Sequence, residues 1–177
     1  VIIDSGNDDT ENFVRSFQSH YGNIVYRKIK NNKNRSLLRN TGAKLAMFDI
    51  LCFLDNDILV PPNFISIHYN EHLKTNNLVL SQCRRFLTIF DYDLVEAELR
   101  NNFSILNTLP WYQDERLYFN PNHSKWRFVF SHTLSLKKND FFKVKGFDKK
   151  YGNNWGFEDL DLGYKLYKNE CKIKFII

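Results

Sequence analysis

Two short acidic motifs hold the residues best suited to chemistry. In Phe53-Leu54-Asp55-Asn56-Asp57, two carboxylates stand one residue apart at the end of an apolar run. Neighbouring acids repel unless a cation joins them. Hard oxygen ligands of this kind favour Mg2+ or Mn2+, usually shared with substrate phosphates. The same residue types build ordinary solvated turns, so the motif by itself leaves both readings open. In Asn154-Trp155-Gly156-Phe157-Glu158-Asp159-Leu160-Asp161, acids open a helix, where its dipole stabilises them. Gly156 permits close backbone approach, and the Trp155 indole offers a flat face to a sugar or a base. A carboxylate beside such a platform can serve as general base toward a hydroxyl. Asp161 is offset along the helix and reads as a surface group.

Both motifs need elements to position them, and the pattern alternates strand with helix. A short strand over residues 1–3 ends in a polar turn, where Thr10 can cap a helix with Phe13, Val14 and Phe17 at helical spacing. A second strand is expected at 24–26, then a basic loop and a helix from Ser36 to about Met47. Ile50 to Leu54 reads as a strand buried on both faces of a mostly parallel sheet, which places Asp55 and Asp57 in the crevice where open α/β sheets bind ligands. Pro61-Pro62 lead into a helix over 64–73, and 78–83 is the next strand. Beyond it the signal weakens to one helix near 93–102 and an aromatic loop. Strand alternation returns over 128–136, followed by helices over 138–144 and 158–168 and a strand over 173–177. There is no internal repeat and no linker, so the chain reads as one α/β domain over 1–177.

Composition agrees and excludes several classes. The chain has 177 residues, enough for one domain with a sizeable core. At 43% hydrophobic and 16% aromatic residues it is not disordered. No apolar stretch is long enough for a transmembrane helix, and no secretory signal opens the sequence. Twenty-five Lys and Arg against 20 Asp and Glu give a net charge of +5. The basic residues are scattered, which argues against a nucleic-acid partner. The denser run from Arg27 to Arg35 reads as a solvated loop that could also attract an anionic membrane surface or a diphosphate. Three cysteines without paired spacing suit a reducing compartment.

Taken in order, Ile3-Asp4-Ser5-Gly6, Leu38-Arg39-Asn40-Thr41-Gly42-Ala43, Phe53 to Asp57 with Pro61-Pro62, Gly146-Phe147-Asp148 and Trp155 to Leu162 resemble the family 2 glycosyltransferases of the GT-A fold. The last segment is also similar to the carboxy-terminal motif of galactosyl- and N-acetylgalactosaminyltransferases. The resemblance covers nearly the whole chain. It implies a Rossmann-like, mixed and mostly parallel sheet flanked by helices, with the family's first strand missing and the domain truncated at both ends. It also implies inverting transfer of a sugar from a nucleotide donor, usually a UDP-sugar, to an acceptor hydroxyl in polysaccharide or glycan assembly. By resemblance, Asp4 and Arg39 contact the nucleotide, while Asp55 approaches the ribose or the metal. Asp57 binds Mn2+ or Mg2+, and Asp159 is the catalytic base. Glu158, Trp155 and Gly156 line the acceptor site.

The implied partners are a nucleotide-sugar donor and a carbohydrate or glycolipid acceptor, without nucleic acid. Composition and mixed charge suggest a cytoplasmic enzyme or one peripheral at the inner face of the membrane. A third metal ligand, commonly His in the family, is expected beyond Ile177. His132 reads as a packed or substrate-facing residue, and Trp111, Tyr112, Tyr118 and Trp126 as an acceptor platform or a core patch. Two rival readings remain at this stage. A haloacid-dehalogenase-type phosphohydrolase also follows a hydrophobic strand with Asp-x-Asp, although Ile58-Leu59 stand where small residues are usual. A non-catalytic nucleotide-sugar binder would keep the donor site without transfer.

Overall fold

The computed structural model describes residues 1–87, 102, 104, 106, 111–113, 124–153 and 157–176. Strand and helix alternate through the first half: β1 (Ile2–Asp4), α1 (Thr10–Gln18), β2 (Tyr26–Lys28), α2 (Arg35–Leu45), β3 (Ile50–Leu54), α3 (Phe64–Lys74) and β4 (Leu78–Gln82). A two-stranded antiparallel sheet of β5 (Arg85–Leu87) and β6 (Trp111–Gln113) follows. Then come β7 (Thr133–Lys137), α4 (Lys138–Lys143), α5 (Phe157–Lys168) and β8 (Lys172–Ile176), with 3-10 turns at Lys125–Phe128 and Lys149–Tyr151.

The main sheet has the order β3-β7-β4-β8, and β1 pairs in parallel with β2 beside it. β7 is antiparallel to both β3 and β4, while β4 and β8 are parallel. Three of the four strands therefore run one way, and the sheet is mixed and mostly parallel as expected. β4 and β7 lie inside it and are almost wholly buried. Val79, Leu134 and Leu136 pack in one buried cluster with Phe141, Phe147, Leu162 and Leu166, and Leu78 and Leu80 are buried as well. Close approach of α5 to the turn at Lys125–Phe128 needs a glycine. A Cβ on Gly163 would stand 2.1 Å from the Trp126 carbonyl oxygen.

Four local expectations need correction. β3 is not buried on both faces: it ends its sheet, and Cys52 and Leu54 are exposed. β2 lies two residues further on, because Ile2 registers with Tyr26. Of the 128–136 stretch only the second half is strand, since the chain first makes a 3-10 turn and then bends at Ser131-His132. On α1, Val14 is buried while Phe13 and Phe17 face outward, their rings 5.0 Å apart. Residues 93–101 of the helix expected near 93–102 lie outside the described residues, as does Tyr118.

Candidate active site

The acids at the end of β3 meet those of α5 through α2 and the bend before β7. Helix α2 is pinned first. The Asn34 side chain accepts from the Leu37 N–H at 2.8 Å and donates to the Lys149 carbonyl at 2.7 Å, a capping arrangement. The Arg35 N–H donates to the Gly152 carbonyl at 2.9 Å. Further along, Asn40 donates to the Phe147 carbonyl at 2.7 Å and accepts from the Phe147 N–H at 3.0 Å. These bonds hold α2 against the segment that precedes α5. Arg35 and Arg39, four residues apart, share one helix face.

That face meets Glu158. Its Oε1 accepts from Arg35 Nε at 3.1 Å and from Arg39 Nη1 at 3.0 Å. Only 3% of the Glu158 side chain is exposed, and its Oε2 is buried without a partner among the described residues. The other end of the Arg39 guanidinium, Nη2, reaches Asp55 Oδ1 at 3.2 Å. A chain of charges thus joins the end of β3 to the first turn of α5.

The bend before β7 makes a second link. The Asp55 N–H donates to the His132 carbonyl at 3.2 Å, and the neighbouring Ser131 N–H donates to Asp159 Oδ2 at 3.3 Å. Asp55 and Asp159 are therefore tied to consecutive residues of one segment. Asp159 Oδ1 is buried and has no partner among the described residues. Burial pushes the Asp159 carboxyl up to about 6, against the opposing pull of Arg39 and of the hydrogen bonds from Ser131. A carboxylate in that range, with one oxygen free, is fitted to take a proton from a hydroxyl.

Asp57 differs: it lies in an exposed turn, and nothing pairs with it among the described residues. Asp55 is half-exposed and keeps Oδ2 beyond its Arg39 contact. Two carboxylates with open oxygens suit a hard divalent cation that takes its remaining ligands from phosphates and water. No group of three His, Cys, Asp or Glu residues able to hold a metal occurs among the described residues.

Asp4 ends β1 as Asp55 follows β3. A cavity of about 260 Å3 lies between these strands, lined by Ile3, Arg39, Gly42, Phe53 and Asp55 among others. Asp4 accepts from Tyr26 Oη, from Lys28 Nζ at 2.8 Å and from the Gly6 N–H at 2.7 Å. Burial works to raise its pKa, but these bonds outweigh burial and hold the carboxyl below its ordinary value. Trp155 and Gly156 lie outside the described residues. Asp161 pairs with Lys165 at 2.8 Å, and Lys165 also reaches the Gly146 carbonyl. His132 is buried beside Thr133, its Nδ1 2.9 Å from Oγ1.

Arg35 and Ser131 escaped the sequence reading. The spacing of Arg35 four residues before Arg39 was the signal available for the first, and nothing local marks the second.

The family model of glycosyl transferase family 2 matches residues 1–140. The chain belongs to that family. A second model, described as the N-terminal domain of galactosyltransferase, matches residues 117–176 of this family 2 domain. Validoxylamine A glucosyltransferase of Streptomyces hygroscopicus subsp. jinggangensis (strain 5008) is 28% identical, over 94% of the chain and 43% of its own length. Hyaluronan synthase of Pasteurella multocida is 24% identical over 95% of the chain and 19% of its own length. The chain therefore spans less than half of these two relatives. The crystal structure of GalNAc-T7 with UDP, GalNAc and Mn2+ superposes with a TM-score of 0.62 at 14% identity, covering 98% of this chain and 35% of that one. The shared fold is GT-A. No helix among the described residues is long and apolar enough to cross a membrane.

Proposed function

We propose that this family 2 domain transfers a sugar, with inversion, from a UDP-sugar to a hydroxyl of a carbohydrate or glycolipid acceptor in polysaccharide or glycan assembly. The observation that carries this reading is Asp159, a buried carboxyl raised to about 6 with one free oxygen, tied through Ser131-His132 to the acids that follow β3. In its ionised form Asp159 takes the proton of the acceptor hydroxyl as that oxygen attacks the anomeric carbon. The nucleoside diphosphate departs on the opposite side, so configuration inverts. Asp55 and Asp57 would hold Mn2+ or Mg2+, which when bound neutralises charge on the diphosphate.

Asp4 and Arg39 line the nucleotide side, where both are already fixed by partners and so need little reordering on binding. Glu158 Oε2, buried and without a partner among the described residues, would accept from an acceptor hydroxyl next to Asp159, and Trp155 and Gly156 are its proposed companions in binding the acceptor. Arg27, Lys30 and Lys33 of the basic run are exposed and give the domain a means of resting on an anionic membrane face, in keeping with cytoplasmic assembly of glycans. Family membership sets aside the phosphohydrolase reading.

Calorimetry with UDP and Mn2+, followed by a screen of UDP- and GDP-sugars for donor turnover, tests the proposal. Binding of UDP that requires the cation, with turnover abolished in Asp159→Asn while UDP affinity is kept, is expected. Phosphatase turnover of p-nitrophenyl phosphate that vanishes in Asp55→Asn would overturn it. UDP binding without turnover of any donor would leave the non-catalytic binder in its place.

A further inference from the structure

Arg39 touches carboxylates on both walls of the cleft, Asp55 at 3.2 Å and Glu158 at 3.0 Å. The two contacts come from different ends of one guanidinium, a flat fork that a lysine cannot reproduce. Its plane is fixed from below: the guanidinium carbon lies 5.6 Å from the centre of the buried Phe147 ring. Phe147 is in turn bonded twice to Asn40, the residue after Arg39. Glu158 is the deeper partner, nearly inaccessible and held a second time by Arg35. A carboxylate so buried persists only when paired, and here one oxygen serves two guanidinium groups.

We propose that Glu158 is a positioning residue: seated on Arg35, it holds the Arg39 guanidinium across the cleft against Asp55, so that one positive charge is shared by the donor wall and the proton acceptor. This rests on the transfer reading above and adds to it a coupling between its two halves. Two guanidiniums, Arg35 and Arg39 from α2, face three carboxylates: Asp55 after β3, and Glu158 and Asp159 on α5. Ser131 and His132 contribute backbone bonds from the bend before β7, and the Asp161–Lys165 pair lies further along α5. Full ionisation of the cluster leaves one negative charge in excess. Arg39 draws Asp159 toward its ionised form, whereas the charge of Glu158 opposes ionisation. The fixed guanidinium therefore moderates the base while keeping Asp55 aimed at the donor side.

The test reads Asp159 directly. Carboxyl carbons of Asp-labelled protein are titrated by 13C NMR, with the Asp159 resonance assigned by its loss in Asp159→Asn. Its midpoint should rise by roughly one pH unit in Arg39→Gln and fall by a smaller amount in Glu158→Gln, whose charge acts on Asp159 less strongly than Arg39 does. Arg39→Lys should bring the midpoint back toward the parent value. UDP affinity in Mn2+ should stay weakened about tenfold in that variant, because one ammonium cannot span both carboxylates. A contact serving only stability would lower the melting temperature of both variants and leave the midpoint still. Movement of the two midpoints in the same direction, or of neither, overturns the proposal. Should Glu158→Gln not fold, the two Arg39 variants decide it, since the midpoint must rise with Gln and return with Lys. If the parent chain binds no UDP while the midpoints still move in opposite directions, the positioning pair stands and the transfer reading fails.

Discussion

The two acidic motifs of the cleft have opposite surroundings. Asp57 sits in an exposed turn with no partner among the described residues. Asp159 opens a helix, is bonded to the Ser131 backbone, and has its second oxygen sealed from solvent. The contrast follows from the work each would do. A ligand for a hard cation must stay ionised and keep its oxygens open. A base must be raised toward neutrality, and burial is the most direct way to raise a carboxyl. One chain has therefore placed like side chains in two dielectric environments, each suited to one of the two proposed roles.

Measurements can break that contrast at several points. The largest effect is expected from Asp159→Asn, which should cut sugar transfer by roughly 10²–10⁴-fold in steady-state assays while UDP affinity in Mn2+ changes little. An equal loss of donor affinity would mean that the two walls do not have separate roles. Next is pH. With Asp159 titrating near 6, kcat/KM should be level above that value and fall about tenfold per pH unit below it, so a pH–rate profile lacking an acid limb near 6 would contradict the assignment.

Third is stability. The folded state holds the Asp159 carboxyl above its ordinary value of 3.8, so it favours the protonated form. The resulting stability is complete below pH 3.8 and is lost as pH rises through about 6. Asp159→Asn should therefore stabilise the chain by on the order of 3 kcal/mol at pH 7.5 and by little at pH 4. Thermal melts at the two pH values check this. The smallest effect is expected from Asp57→Ala, which should weaken UDP binding about tenfold in Mn2+ and barely in its absence, as calorimetry would show.

Away from the cleft, α3 presents His68 and His72 to the sheet, where both approach Ser135 Oγ, at 2.7 and 2.8 Å. Burial holds both imidazoles below their ordinary value. The folded state therefore favours the neutral imidazoles, and the stability this confers is present above their ordinary value of 6.5 and lost as pH falls below it. Acid melts of His68→Gln against the parent chain should show a shallower loss in the variant. Acid acts on stability through this pair, but only the cleft should change the rate at constant fold.

Much of the fold was legible because it rests on local patterns. The apolar run of β3 stopped by acids, the paired prolines before α3 and the acidic opening of α5 each mark their element within a residue or two. Legibility ended where neighbours decide. β3 has the composition of a doubly covered strand, but its place in the sheet order leaves Cys52 and Leu54 exposed. The alternation of 128–136 looks continuous, but the chain bends at Ser131-His132, and that bend supplies the backbone groups that join Asp55 to Asp159.

The same division holds for the site. Residue type and short spacing determined that Asp55 and Asp57 would follow a strand and that Glu158 and Asp159 would open a helix, because turns, caps and helix dipoles act over a few residues. That Arg39 bridges the two motifs, that Glu158 is anchored rather than free, and that the Asp159 carboxyl rises to about 6 were decided by tertiary structure alone. Burial and Coulomb interaction depend on distance in space, and the residues concerned lie about a hundred positions apart along the chain.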